Sequence, residues 1–185
     1  KEAANALSRM ENLAQLARRH GVAMAGHDDE GAERIALMTR LGATISEFPC
    51  DLATAREAQA IGLATLFGAP NVVRGRSLSG ALSAREAIAS GVADCLCSDY
   101  APQALLPAVG VLVAELGLSW PDAVRLVSAN PARAAGLADR GEIAVGRNAD
   151  LVVVSEVGGT LVADAVWRNG KAVYSAGWVP LSMLS

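Results

Sequence analysis

Ala93-Asp94-Cys95-Leu96-Cys97-Ser98-Asp99-Tyr100-Ala101-Pro102 is a short apolar run that ends abruptly in a carboxylate. The aromatic and the proline behind Asp99 stop a strand. Side chains on a strand alternate between its two faces, so Cys95, Cys97 and Asp99 share one face, with Asp99 at the C-terminal end. Two readings of Asp99 follow. It is a turn or helix N-cap aspartate, or it sits at the mouth of a parallel α/β barrel and works there as metal ligand and base. In such barrels the C-terminal strand ends carry the chemistry.

The residues before this run repeat one pattern. Lys1 to His20 alternate Ala and Leu with Glu and Arg at helical spacing, and Gly21 ends that helix. Val22 to Gly26 reads as a buried strand leading into His27-Asp28-Asp29-Glu30. A helix from Glu33 to Leu41, a strand from Ala43 to Phe48, a helix from Leu52 to Ile61 and a strand from Leu63 to Phe67 come next. A polar loop of Gly, Ser and Arg residues runs from Gly68 to Gly80, and Ser83 caps a helix that Gly91 ends. Four strand–helix alternations imply a parallel sheet with right-handed crossovers. No Gly-x-Gly-x-x-Gly opens a helix, so no nucleotide cofactor is expected.

Beyond Asp99 the spacing predicts helices over Gln103 to Leu116 and Trp120 to Ala129, a break at Asn130-Pro131, and a last helix from Ala132 to Leu137. From Arg140 the pattern changes to strands: Leu151 to Ser155, then a hairpin, Val162 to Arg168 and Lys171 to Tyr174, around Asn169-Gly170. The expected organisation is an α/β part over residues 1–139 and a separate small β module over residues 140–185.

Of the 185 residues 52% are apolar, enough for a substantial core, and the net charge of −3 carries no basic patch. Nucleic acid is therefore not the expected partner. The run Leu105 to Leu118, broken by Pro107 and Glu115, is too short to span a bilayer, and no secretory signal is recognised. Three cysteines make no disulfide framework, which fits a cytoplasmic protein. Cys95 and Cys97 read as packing residues, with a metal pair as the alternative.

Two stretches carry a resemblance. Asn130-Pro131-Ala132-Arg133-Ala134-Ala135-Gly136-Leu137 and Gly141-Glu142-Ile143-Ala144-Val145-Gly146-Arg147-Asn148-Ala149-Asp150-Leu151-Val152-Val153 resemble the C-terminal signature of the amidohydrolase superfamily. Gly26-His27-Asp28-Asp29, Gly68-Ala69-Pro70-Asn71-Val72-Val73-Arg74-Gly75 and Ser98-Asp99-Tyr100-Ala101-Pro102 narrow it. In that order they resemble the PhnM family, the ribose 1-methylphosphonate 5-triphosphate diphosphatases of the carbon–phosphorus lyase pathway. The resemblance implies the C-terminal half of a (β/α)8 TIM barrel followed by part of a small β-sandwich. It implies a metal-dependent hydrolase of phosphonate metabolism that releases diphosphate and leaves the 5-monophosphate. The alternatives are an amidohydrolase cleaving a C–N bond in a cyclic amide or amine, and a non-catalytic truncated α/β scaffold. The family pattern Gly-Gly-Ser-His-Ser-Gly-Asn stands here as Gly75-Arg76-Ser77-Leu78-Ser79-Gly80-Ala81, without its histidine and asparagine.

With that resemblance the site residues take roles. His27 shares a strand face with Ala23 and Ala25 and is the implied metal ligand; without the resemblance it is a satisfied polar residue at a strand end. Asp99 is the implied second ligand and the base. The implied cofactor is a divalent metal, binuclear, of the Zn, Mn or Fe type. Asp28 and Asp29 orient His27 or hold a second metal, or are solvated carboxylates at a helix start. Asn71, Arg74, Arg76, Ser77 and Ser79, with Glu47 and Tyr100 at the same rim, are the expected contacts of a phosphorylated small-molecule substrate; the bland alternative is a surface loop. The expected partner is the missing N-terminal half of the same enzyme, in a homo-oligomer. Four strands do not close an eight-stranded barrel. Two open sheet edges and a wet inner face at Ala23, Ala25, Cys95 and Cys97 are therefore expected of this chain by itself.

Overall fold

The computed structural model describes residues 2–77 and 80–177. Helix α1 (Glu2–His20) closes on Arg18, Arg19 and His20, cations placed at the negative end of its dipole. Then β1 (Ala25–His27), α2 (Gly31–Leu41), β2 (Ile45–Glu47), α3 (Leu52–Ala60), β3 (Ala64–Gly68), α4 (Ala69–Arg74), α5 (Ala84–Ala89) and β4 (Cys95–Cys97) follow. The four strands are all parallel, in the order β1-β2-β3-β4. Parallel strands all end on the same side, so the ends of β1 and β4, with His27 and Asp99 behind them, come out together as the alternation predicts.

Local chemistry sets the element ends. The Asp51 carboxylate accepts the Thr54 N–H at 2.7 Å and starts α3, and Ser83 does the same for α5. Gly42, at φ 88°, lets its N–H reach back to the last carbonyls of α2 and turns the chain directly into β2. Register places Gly26, Ser46 and Thr65 in one row against the helices, and His27, Glu47, Leu66 and Cys95 in the next row on the opposite face. Ser46 and Thr65 are fully buried, and Thr65 Oγ1 donates to the Val92 carbonyl at 2.6 Å. The main core lies on the helix side, where Phe67 and Leu96 meet Val72, Val109 and Leu112.

Several expectations are corrected. The stretch after β3 is not wholly loop: Ala69–Arg74 is helical, with Pro70 in the first turn, where a missing N–H costs nothing. Asn71 and Arg74 therefore sit on α4. After the 3-10 turn Pro102–Ala104 and α6 (Leu105–Ala114), α7 (Trp120–Arg125) is shorter than its spacing suggests. Asn130-Pro131 does not break a helix but lies in the first turn of α8 (Ala129–Ala134). Cys95 does not meet water: it is 1% exposed. The outer side of β4 is also covered in part, because Leu96 N–H donates to the Leu126 carbonyl at 2.7 Å.

Strands β5 (Leu151–Val157), β6 (Thr160–Arg168) and β7 (Lys171–Ser175) form a second, antiparallel sheet in that order. Asn169-Gly170 makes the expected tight turn, both residues at positive φ, and Asp150 holds it by accepting the Asn169 N–H at 2.8 Å. This sheet is not separate from the rest. Leu161 of β6 is buried in the main core, in contact distance of Gly110 on α6. Among the described residues no helix is long and apolar enough to cross a membrane.

Candidate active site

Three strand ends on the C-terminal side share a strained backbone. Asp28 after β1, Phe48 after β2 and Asp99 after β4 have φ of 51°, 54° and 49°. Left-handed backbone at a residue other than glycine costs of order 1–3 kcal/mol and persists only where its surroundings over-determine it. Here hydrogen bonds do so. Asp28 N–H donates to the Glu47 carbonyl and Phe48 N–H to the Leu66 carbonyl, both at 2.9 Å. Cys50 N–H donates to the Asp29 carbonyl at 3.0 Å, and Ala101 N–H closes the turn around Asp99 onto the Ser98 carbonyl.

His27 ends β1 opposite Glu47 of β2. Its side chain is 59% exposed and its Nδ1 lies 3.0 Å from Asp28 Oδ2. That contact leaves Nε2 as the nitrogen free for a ligand. The imidazole also meets the Phe48 ring edge-on, with centroids 5.4 Å apart and planes at 85°. Asp99 comes in over Gly68: a Cβ there would stand 3.4 Å from Asp99 Oδ2 and 3.5 Å from Phe48 Cε1. Glycine at 68 leaves room for the Asp99 carboxylate and the edge of the Phe48 ring.

Asp29 stands apart from its neighbours. It is fully buried, accepting from Ser46 Oγ at 2.7 Å and Arg34 Nε at 3.0 Å. Its carboxylate lies where a Gly26 Cβ would point, which is the helix side of β1 and not the His27 side. Asp29 thus ties β1, β2 and α2 together behind the rim, and the expectation that it contacts His27 or a second metal does not fit this placement.

The thiols below the rim are inert. Burial, followed by the nearby Asp94, pushes Cys95 up to about 12. Burial raises Cys97 to about 11, against a partly offsetting Asp99 N–H to its sulfur. In the absence of a metal both stay protonated near neutral pH, which suits packing. Cys50 is raised as well, by burial and then by Asp28, Glu30, Asp51 and Asp29.

On α4 the Arg74 guanidinium donates through Nη2 to the Tyr100 hydroxyl, joining the helix after β3 to the residue after Asp99. Its Nη1 is buried and has no hydrogen-bond partner among the described residues. Arg76 is exposed and Ser77 half-buried; Ser79 lies outside the described residues. At the C-terminal side of the sheet His27 stands opposite Glu47 and contacts Asp28, and Arg74 is joined to Tyr100, the residue after Asp99. Among the described residues no three His, Cys, Asp or Glu side chains gather closely enough to hold a metal. Phe48 was missed by sequence reasoning, which reads it as the last residue of a strand; nothing in a sequence marks a phenylalanine as left-handed.

The comparisons with known proteins agree on one family. The pattern of the Amidohydrolase family matches residues 3–173. The chain is 40% identical over 166 residues to the alpha-D-ribose 1-methylphosphonate 5-triphosphate diphosphatase of Escherichia coli K12, covering 89% of this chain and 44% of that protein. It is 33% identical over 132 residues to a dihydroorotase of Mycobacterium leprae, covering 58% and 31%. An amidohydrolase from a Sargasso Sea environmental sample shares the fold, with a TM-score of 0.66 at 23% identity, over 95% of this chain and 48% of that one. The chain therefore spans less than half the length of these three relatives, and over nearly all of its own length it belongs to the Amidohydrolase family.

Proposed function

We propose that residues 1–139 are the C-terminal half of a (β/α)8 barrel and residues 140–185 a segment of a β-sandwich, in a hydrolase that releases diphosphate from ribose 1-methylphosphonate 5-triphosphate. The observation that carries the substrate is Arg74. A guanidinium presents forked N–H donors that match phosphate oxygens. Arg74 stands on the same rim as Asp99, joined to it through Tyr100. The similarity to the E. coli diphosphatase points the same way.

The half-barrel reading is supported by the free side of β1. There a groove of about 690 Å³, lined by Met10, Leu13 and Leu16 of α1 and by Ala23, Met24 and Ala25, runs beside a strand with no neighbour on that side among the described residues. A strand from the other half of the barrel fits this space.

The described residues do not by themselves make a complete divalent-metal site. His27 through Nε2 and Asp99 through a carboxylate oxygen are the donors this chain brings, and the remaining donors come from the other half. A bound ion of this kind makes a water acidic enough to attack near neutral pH. Asp28 contacts the His27 ring at Nδ1 and leaves Nε2 for the ion. Asp99 takes the proton from the attacking water and returns it to the departing diphosphate. Arg74, with Asn71, Arg76, Ser77 and Ser79, binds and orients the triphosphate.

The test uses the complete enzyme. Asp99→Asn lowers diphosphate release about 10²–10⁴-fold. Arg74→Ala weakens substrate binding by about 2–5 kcal/mol with metal content unchanged. An unchanged Michaelis constant and turnover in Arg74→Ala removes Arg74 from the site. The similarity to a dihydroorotase favours a second reading, hydrolysis of a C–N bond in a cyclic amide. An opened ring or ammonia as product, with no diphosphate released, supports it.

A further inference from the structure

Phe48 occupies a conformation that its residue type disfavours, at the centre of the rim. Its φ is 54°, and a bulky side chain there normally gives way to glycine. The backbone is pinned on both sides: its N–H bonds the Leu66 carbonyl, and the Glu47 carbonyl just before it receives the Asp28 N–H. Pro49 behind it is buried. This corner aims the ring across the rim. One part of it meets the His27 imidazole edge-on at 5.4 Å, and Cε1 reaches the space above Gly68 that Asp99 Oδ2 also borders. Among the described residues His27 has one polar contact, to its exposed neighbour Asp28. An exposed pair of that kind holds a geometry weakly.

We infer that Phe48 is a positioning residue: its strained backbone places an aromatic wall between His27 and Asp99 that fixes the imidazole plane and keeps Nε2 turned towards the ligand side. The inference rests on the proposed reading of His27 as a donor. It gives the strain at position 48 a use, since a glycine would relieve the backbone and lose the wall. A ring locked by packing keeps a donor oriented, and loss of such support costs about tenfold to a hundredfold in metal affinity.

The experiment compares the complete enzyme with Phe48→Leu, Phe48→Gly and Phe48→Tyr, each labelled with ring-¹³C histidine. His27 is assigned by its loss in His27→Asn. Phe48→Gly removes the ring while relaxing the backbone, so it separates the ring from the fold if Phe48→Leu is poorly folded. The expected result is that the His27 ring resonances move in the Leu and Gly variants and stay in place in Phe48→Tyr. Zn²⁺ affinity falls about tenfold to a hundredfold in the first two and is kept in the third. Unmoved His27 resonances and unchanged Zn²⁺ affinity in both Leu and Gly variants overturn the role of Phe48. If Zn²⁺ does not shift His27 in the parent enzyme, the donor reading of His27 falls and this role falls with it. The parent titration thus tells that failure apart from one confined to Phe48.

Discussion

Where the chain turns into β1, β2, β3 and β4, the left-handed residues are Gly21, Gly42, Gly62 and Gly91, with φ of 62°, 88°, 88° and 69°. At the residues next to the ends of β1, β2 and β4 the left-handed positions are Asp28, Phe48 and Asp99, with Gly31 at φ 77° further on at the start of α2. Both ends of the sheet make the same kind of turn, but only the first makes it with the residue that adopts this backbone freely. At the second end a carboxylate or a ring is kept in spite of a steric cost. The difference marks the C-terminal end as the one selected for side chains and not for ease of folding, in line with where parallel barrels carry their chemistry. The polar groups differ too. At the N-terminal end Asp94 is satisfied by Thr65, and the Asp94 carbonyl by Asn130. At the C-terminal end Arg74 keeps a nitrogen with no partner among the described residues.

The largest effect expected on stability lies behind the rim, at Gly26. A Cβ there would stand 2.3 Å from Asp29 Oδ2. Gly26→Ala must push the carboxylate off Ser46 and Arg34, and is expected to cost about 3 kcal/mol in denaturant unfolding. In an Asp29→Ala background the same change should cost clearly less. Equal costs in both backgrounds would show that the carboxylate is not what requires a glycine.

Exchanging residue types between the two ends sharpens the comparison. Gly62 has open space around its Cβ position, so Gly62→Ala meets only the backbone penalty and should destabilise by about 1–2 kcal/mol. Asp28→Gly relieves that penalty against an unfolded-chain cost of about 0.5–1 kcal/mol, and should be neutral or stabilising by up to about 1 kcal/mol. In thermal unfolding Gly62→Ala should lower the midpoint and Asp28→Gly should leave it in place or raise it. If Asp28→Gly is as damaging as Gly62→Ala, the rim is not strained.

A smaller effect with a defined pH window belongs to Asp51. The Thr54 backbone N–H that it caps holds its carboxyl below the usual carboxylate range. A lowered folded value means that the stabilisation is present above the unfolded value of about 3.9 and is lost as pH falls through the folded one. Asp51→Ala should cost about 1 kcal/mol at neutral pH. Its gap from the parent should close in acid below about pH 4, and a gap constant with pH would contradict this origin.

Strand order and direction, the placing of His27 and Asp99 at one end, and the Asn169-Gly170 turn were legible in the sequence, because alternation, glycine stops and turn residues act locally. Other features depend on partners far along the chain. Helix α4 was hidden because Gly75, Arg76 and Ser77 make its surroundings look like loop. The cover over Cys95 and the β4 edge comes from Leu126 and α8, about 30 residues away. Asp28 and Asp29 are neighbours of one type, yet one turns to His27 and the other to Ser46 and Arg34; only the register of β1 on β2 decides which. The orphaned nitrogen of Arg74 and the strained ring of Phe48 are three-dimensional facts with no local signature.

The most direct measurement is on residues 1–185 expressed without the rest of a barrel, following mass in solution, metal content and diphosphate release. With the β1 side open and only part of a donor set present, the chain should associate or aggregate, carry metal below stoichiometry and release no diphosphate. Co-expression with the complementary half should restore all three. A well-folded monomer with stoichiometric metal and full turnover would contradict the reading of this rim as one half of a shared site.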